Sequence, residues 1–496
     1  MSERPSIILI ILDSARRDMF GCYGCGDGLT PNFDRLAAEG MLLWDHYAAG
    51  CGSAQAHVST FTGQHSARHR MVHNLCEVRE DLLAMPRLLR ELGYRTYGHS
   101  KASFIPPAGG HEDLFGLDEM WYPGKTAAPA RGGGARDRLL DLLRRWPWGF
   151  NTAKRLYGAM LGRERQLAAS ARYFDGHASF RYVRDRLVEH RGEAPVFAYS
   201  TILHPHTPYY PPKPYLDRFF HGRKVPAEAL DILGNFHAYA NGDFGEAREG
   251  IEALKLCYKA DLLYGDEQLG QWADELAGQG VLDESILVVT SDHGELFGEH
   301  GLANHGASVW EPLYATPCLI RYPKKIPAGT VVRGLTSALD LMPTVFSLID
   351  RADWLRDRTT LDGMVIDPAA PPEADRVLVV DSPPAVLPER FKQYPKLLHL
   401  LSIIVRAART HDYKYIWQSD GRRMLFRTGT PEEPEHDLLA SRPEIADELH
   451  GRLVAFYEAI DPDFVMEHYP VNIGRTAGAL MTNPAVRQEL KRLGYM

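Results

Sequence analysis

The chain has 496 residues, 45% hydrophobic and 24% charged, proportions that exclude wholesale disorder, a collagen-like repeat and a low-complexity scaffold. Lys and Arg number 56 against 64 Asp and Glu, a formal net charge of -8, which removes the basic footprint of a general nucleic-acid binder. The length suits a large α/β core with a smaller appendage.

In chain order, Ile7–Leu12 is an apolar run ending at Asp13 and reads as a first buried strand; it is too short for the core of a signal peptide. Thr30 and Pro31 open a helix over Pro31–Ala38, with Gly40 as its stop. A second helix is expected over Arg79–Leu92 and a third over Tyr258–Leu276. Further strands are expected at Pro195–Thr201, Ser285–Thr290 and Pro317–Tyr322, an alternation that predicts an α/β fold. The stretch from about 104 to 170 is rich in Gly, Pro and Ala and then in Arg, and reads as an insertion lying over the core. From about residue 345 onward a smaller α+β region is expected, with an antiparallel pair at Tyr413–Gln418 and Arg423–Arg427 before a helix at Pro443–Ile460. Leu397–Val405, the next most apolar stretch, is broken by His399 and Ser402 and falls short of a bilayer span. The expectation is a soluble, cytoplasmic protein. Its six cysteines lack a zinc-site pattern and read as structural or reduced thiols.

Four segments put unusual polar residues at strand ends or beside a helix start: Asp13, the Gly50-to-Gly63 stretch containing Ser53, His206 after His204-Pro205, and Asp292-His293-Gly294-Glu295. Singly each has an ordinary structural reading, since an Asp after a strand commonly caps a turn. Together they make a coherent site. Two carboxylates and an imidazole can hold a divalent cation with positions left open, and such a cation lowers the pKa of a nearby hydroxyl. Ser53 would supply the hydroxyl, with helix N-terminal amides facing the anionic group under attack, and a His would protonate the leaving alcohol. This chemistry suits a phosphate or sulfate ester.

These residues resemble the sulfatase family of the alkaline phosphatase superfamily. The matching segments also include Gly21-Cys22-Tyr23-Gly24, Thr30-Pro31-Asn32-Phe33-Asp34-Arg35-Leu36, Gly93-Tyr94-Arg95-Thr96, His206-Thr207-Pro208-Tyr209, Gly298-Glu299-His300-Gly301, Asp340-Leu341-Met342-Pro343-Thr344 and Leu493-Gly494-Tyr495. The resemblance implies a large mixed sheet flanked by helices, a catalytic region over 1–344 and a smaller C-terminal α+β subdomain over 345–496. In the family the nucleophile stands nine residues before a Thr-Gly pair, which selects Ser53 over Cys51. Typical sulfatases carry Pro and Arg two and four positions after it, guiding conversion to formylglycine; here these are Gln55 and His57. The pattern is closer to the branch using unmodified Thr or Ser, as in phosphoglycerol transferases. The family's Asp-Asp pair is Asp13-Ser14 here, and its Asn beside the later Asp is His293, as on the phosphonate monoester hydrolase and phosphodiesterase side. Fewer carboxylates move the expected cation from Ca²⁺ toward Mn²⁺ or Zn²⁺.

The resemblance therefore implies Asp13, Ser53, Asp292 and His293 around one divalent metal ion and Ser53 as nucleophile. It implies His206 as leaving-group acid, and His57 at the position of the Arg that fixes the nucleophile. Lys101 and His305 match positions that touch substrate oxygens, with His305 also a candidate for proton transfer, and Asn74 matches a substrate-binding Asn. The expected partner is a small anionic ester, with neither nucleic acid nor a membrane span, and family analogy leaves a homo-oligomer open. The resemblance thus points to metal-dependent hydrolysis of a phosphoric or phosphonic ester through a covalent intermediate on unmodified Ser53; the alternatives are a sulfatase acting through formylglycine at Ser53, a transferase passing the group to an alcohol, and a catalytically retired member that binds an anionic ligand.

Overall fold

A computed structural model of the protein describes residues 4–71, 81–100, 115–121, 176–234, 247–306, 308–370, 372–384, 395–428 and 436–467. The first apolar run forms β1 (Ser6–Leu12), inside an eight-stranded sheet. The strands that follow are β2 (Met41–Tyr47), β3 (Arg95–His99), β4 (Glu119–Trp121), β5 (Val196–Ile202), β6 (Ser285–Ser291), the hairpin β7 (Leu296–Phe297) and β8 (Ala303–Asn304), β9 (Cys318–Arg321) and β10 (Thr330–Ser337). The large sheet runs β10-β2-β9-β6-β1-β5-β3-β4, with β9 antiparallel to both neighbours and every other pair parallel. This is the expected large mixed sheet.

Successive residues of β1 serve opposite faces: Ile7, Leu9 and Ile11 enter one core, and Ile8, Ile10 and Leu12 the other. Burial on both faces explains why the run is unbroken by polar residues. On the first face lie α2 (Ser53–Thr62) and α4 (Met85–Glu91), with the short α3 (Ser66–His69) between them in sequence. On the second lie α1 (Pro31–Ala38), α5 (His177–Glu189) and α6 (Arg248–Gly278).

Several boundaries differ from the sequence expectation. The helix expected over Arg79–Leu92 begins only at Met85, because Pro86 takes a first-turn position where its missing N–H is tolerated; residues 79 and 80 lie outside the described set. The helix expected from Tyr258 begins ten residues earlier, where Ile251, Leu254 and Cys257 carry its apolar face into a further core cluster. α1 has the expected bounds, but Thr30 does not cap it. Asp266 of α6 accepts from the Asn32 and Phe33 amides at 3.0 and 2.8 Å instead. Within the stretch read as an insertion, Glu119–Trp121 forms β4 beside β3, and most of the remainder lies outside the described residues.

After α7 (Leu341–Leu348) the chain builds a second, antiparallel sheet of β11 (Leu378–Ser382), β12 (Val405–Arg409), β13 (Tyr413–Gln418) and β14 (Arg423–Arg427), in that order. The expected pair is its last two strands. Helix α8 (Pro443–Glu458) covers it through Ala446, Leu449, Leu453 and Tyr457. Among the described residues no helix is long and apolar enough to cross a membrane.

Candidate active site

The register of the central strands assembles the site. Leu12 lies level with both Ile202 and Ser291, so the chain leaves β1, β5 and β6 at one sheet end, delivering Asp13 and Asp292 side by side. Ser14 then takes a left-handed φ of 66°, a conformation a non-glycine residue adopts at some cost, and its N–H donates to Asp292 Oδ1 at 3.1 Å. After Asp292 the backbone closes tightly. A Cβ at Gly294 would run into the Pro312 carbonyl, so only glycine fits the Asp-His-Gly turn.

Asp13, Asp292 and His293 are buried, and one ligand atom from each lies within 4.8 Å of the others. Asp292 Oδ1 accepts from the Ser14 and His293 amides, whereas Oδ2 is buried with no hydrogen-bond partner. His293 Nδ1 donates to the Gly294 carbonyl at 2.9 Å, which leaves the Nε2 lone pair turned to the cluster, 3.5 Å from Asp292 Oδ2. Burial, and after it the charge of Asp292, pushes the Asp13 carboxyl well above its usual range. Burial works the same way on Asp292 but is outweighed by the His293 and His57 imidazoles and two amide donors, which hold its carboxyl low. An orphaned carboxylate oxygen beside a second carboxyl that resists ionising is an environment lacking positive charge, and this donor set fits a divalent cation.

Ser53 is the first residue of α2, a helix buried along its whole length. Its Oγ lies 2.9 Å from His293 Nε2. His57, one turn on, donates from Nδ1 to the Ser53 carbonyl at 2.7 Å, and its Nε2 lies 3.2 Å from Thr201 Oγ1 of β5. Burial lowers the His57 pKa, and the ring braces the first turn of α2.

Two further histidines extend the cluster. The rings of His293 and His305 are 4.3 Å apart, and those of His305 and His206 5.5 Å. His206 Nδ1 donates to the Thr207 carbonyl at 2.7 Å. His305 Nδ1 is 3.2 Å from Glu295 Oε1, whose other oxygen accepts from Tyr209 at 2.5 Å. Burial brings His305 down to about 3 and Glu295 up to about 7. His204 faces elsewhere, bonded through Nδ1 to Asp261 of α6 at 3.1 Å.

Asp13, Ser53, His57, His206, Asp292, His293 and His305 are thus brought together, while Lys101 and Asn74 lie outside the described residues. Glu295 and Tyr209 belong to the same network without having been given a role from sequence. Both stand inside the motifs named above, and the carboxylate two positions after His293 is the signal the sequence offers. Cys51 is buried among apolar side chains, which pushes its thiol up to about 12, the opposite of an activated nucleophile. Cys51→Ala is expected to keep kcat within about twofold and to lose about 1 kcal/mol or less of stability, checked by steady-state kinetics and thermal melting.

A family model described as Sulfatase matches residues 5–351. An N-acetylglucosamine-6-O-sulfatase of Bacteroides thetaiotaomicron is 26% identical over 388 residues, covering 69% of this chain and 67% of the relative. A choline-sulfatase of Rhizobium meliloti is 25% identical over 372 residues, covering 70% and 67%. Among solved structures, the phosphonate monoester hydrolase of Agrobacterium radiobacter superposes with a TM-score of 0.64 at 20% identity, over 92% of this chain and 96% of that one.

Proposed function

The chain belongs to the sulfatase family and is an ester hydrolase, and from that premise we propose that it cleaves a phosphoric or phosphonic ester through a covalent intermediate on unmodified Ser53. The observation that carries this reading is the setting of Ser53. At the two positions where formylglycine-forming sulfatases carry Pro and Arg, Gln55 donates to Asp381 and His57 to the Ser53 carbonyl, so both are committed to holding the first turn of α2.

Asp13, Asp292 and His293 would hold the metal ion, with Mn²⁺ or Zn²⁺ favoured over Ca²⁺ by two carboxylates and an imidazole. Bound there, the ion would supply positive charge that lowers the pKa of the Ser53 hydroxyl and offsets charge on the transferred group. Ser53, its hydroxyl proton released to water once the ion is bound, would form its Oγ–P bond as the bond to the leaving oxygen breaks, with the first amides of α2 facing the anionic group. His206, entering doubly protonated with Nδ1–H bonded to the Thr207 carbonyl, would give its Nε2 proton to the leaving oxygen and be left neutral. Water then attacks the phosphoseryl group, His206 takes back a proton, and Ser53 is released. His305, bonded to Glu295, would contact a nonbridging oxygen of the transferred group.

His206→Asn is expected to lower kcat about 10²-fold on alkyl esters but less than about tenfold on p-nitrophenyl esters, whose leaving group needs little proton donation. Equal loss on both would remove the acid role.

Sulfate-ester hydrolysis through formylglycine at Ser53 is the second reading, favoured by the names of the two relatives above. Tandem mass spectrometry of the Ser53 peptide, metal analysis of the same sample and turnover of bis(p-nitrophenyl) phosphate, p-nitrophenyl phenylphosphonate and p-nitrophenyl sulfate separate the two. Unmodified serine with turnover of the phosphorus esters is expected. A peptide lighter by two hydrogens with turnover of the sulfate alone overturns the first reading, and neither metal nor turnover would point to a ligand-binding member of the family.

A further inference from the structure

We infer that Asp381, on edge strand β11 of the C-terminal sheet, is a positioning residue for the nucleophile and acts through Gln55. The inference rests on the reading of Ser53 given above.

Asp381 is fully buried, and its carboxylate accepts from residues of α2, α3 and α8, all remote from it in sequence. Oδ1 accepts from Gln55 Nε2 at 2.5 Å and from Ser66 Oγ of α3 at 2.8 Å, and Oδ2 accepts from Tyr457 of α8 at 3.1 Å. Gln55 Nε2 also reaches the Asp381 carbonyl at 3.3 Å. A buried carboxylate is tolerated only with such a set of donors, and bonds to a charged acceptor are stronger than neutral ones.

Gln55 lies in the same helical turn as Ser53, so whatever holds its amide also sets where Ser53 Oγ points. The glycine before that turn is shaped to the same contact: a Cβ at Gly50 would collide with the Gln55 amide carbon and oxygen. A proline at this position has no donor and could not make the link. The strand end also touches the other side of the site, since Ser382 Oγ donates to the Gly306 carbonyl, next to His305, at 3.4 Å. The C-terminal sheet therefore bridges the nucleophile turn and the loop carrying His305. Displacement of a reacting group by about 1 Å can cost about 10²-fold in rate, so loss of this bridge should be felt in the chemical step.

The test compares Gln55→Met, which keeps length but cannot donate, with Ser66→Ala, which removes a bond to the same carboxylate oxygen without touching the α2 first turn. Asp381→Asn serves as a milder third variant that keeps an acceptor for Gln55. On whichever of the three p-nitrophenyl esters the wild type turns over, Gln55→Met is expected to lower kcat 10- to 100-fold with KM within about twofold and metal content unchanged. Asp381→Asn should lie between it and wild type. Ser66→Ala should lower Tm while keeping kcat within about twofold. Unchanged kcat in Gln55→Met, or kcat falling in step with Tm across all three, overturns the positioning role. A wild type that cleaves only the sulfate defeats the phosphoester reading and leaves these ratios measurable. If it cleaves none, orthovanadate affinity by calorimetry replaces kcat, with at least tenfold weaker binding to Gln55→Met expected and equal binding overturning the inference.

Discussion

Ser53→Ala is expected to lower kcat by about 10⁴-fold or more while the fold and the bound metal persist. The change removes one hydroxyl, the group placed 2.9 Å from His293 Nε2 and the nucleophile in the proposed step. Among the described residues nothing else at the helix start is bonded to the Ser53 hydroxyl. The Ser53 backbone carbonyl still accepts from His57, and no side chain caps α2 at Gly52. Stability should therefore shift by about 1 kcal/mol or less. Steady-state kinetics, circular dichroism and metal analysis on one preparation check the three parts. Retention of more than about 1% of wild-type kcat would remove Ser53 from the nucleophile position.

Asp292→Asn is expected to weaken metal binding by about 10²-fold or more and to lower kcat by about 10³-fold. Asparagine can keep its Oδ1 bonds to the Ser14 and His293 amides, so the turn survives. The orphaned Oδ2 becomes an NH₂ directed at the cluster, where His57 Nδ1 lies at 3.8 Å and His293 Nε2 at 3.5 Å, and the negative charge that attracts a cation is gone. In metal-free buffer the variant should melt somewhat lower than wild type, because the Asp292 charge that the His293 and His57 imidazoles and two amides favour in the folded state, against its burial, is lost, and easing the burden on Asp13 offsets only part of that. Saturating Mn²⁺ or Zn²⁺ should raise the wild-type melting temperature, by about 2.7 kcal/mol of stabilisation at 100 Kd, and leave the variant nearly unmoved. Equal metal-induced shifts in the two proteins would remove Asp292 from the ligand set.

The fold was legible where the physics is local. Ile7–Leu12 announces a strand covered on both faces because no polar residue interrupts it, Tyr413–Gln418 forms the strand its aromatic and β-branched residues predict, and Arg423–Arg427 forms the partner strand expected beside it. The sequence carries no comparably clear signal for β2 and β10. They pair at one edge of the sheet, where β10 is partly exposed and its register breaks between Val332 and Leu335, so their pattern is diluted. The start of α4 depended on Pro86 and the cap of α1 on a carboxylate from a helix more than two hundred positions away.

By itself, the sequence determined the kinds of chemical group available and the strand and helix ends on which they stand: Asp13 after β1, Asp292 and His293 after β6, and Ser53 nine residues before Thr62-Gly63. Those features depend on neighbours within a few residues, which periodicity and spacing record. Only the tertiary structure decided which groups meet. Ser53 and His293 are 240 positions apart and Gln55 and Asp381 326 positions apart, and each contact exists because parallel strands end level and a second sheet closes over α2. A hydrogen bond across such a separation leaves no periodic trace in a single chain, since it constrains two distant side chains and nothing between them.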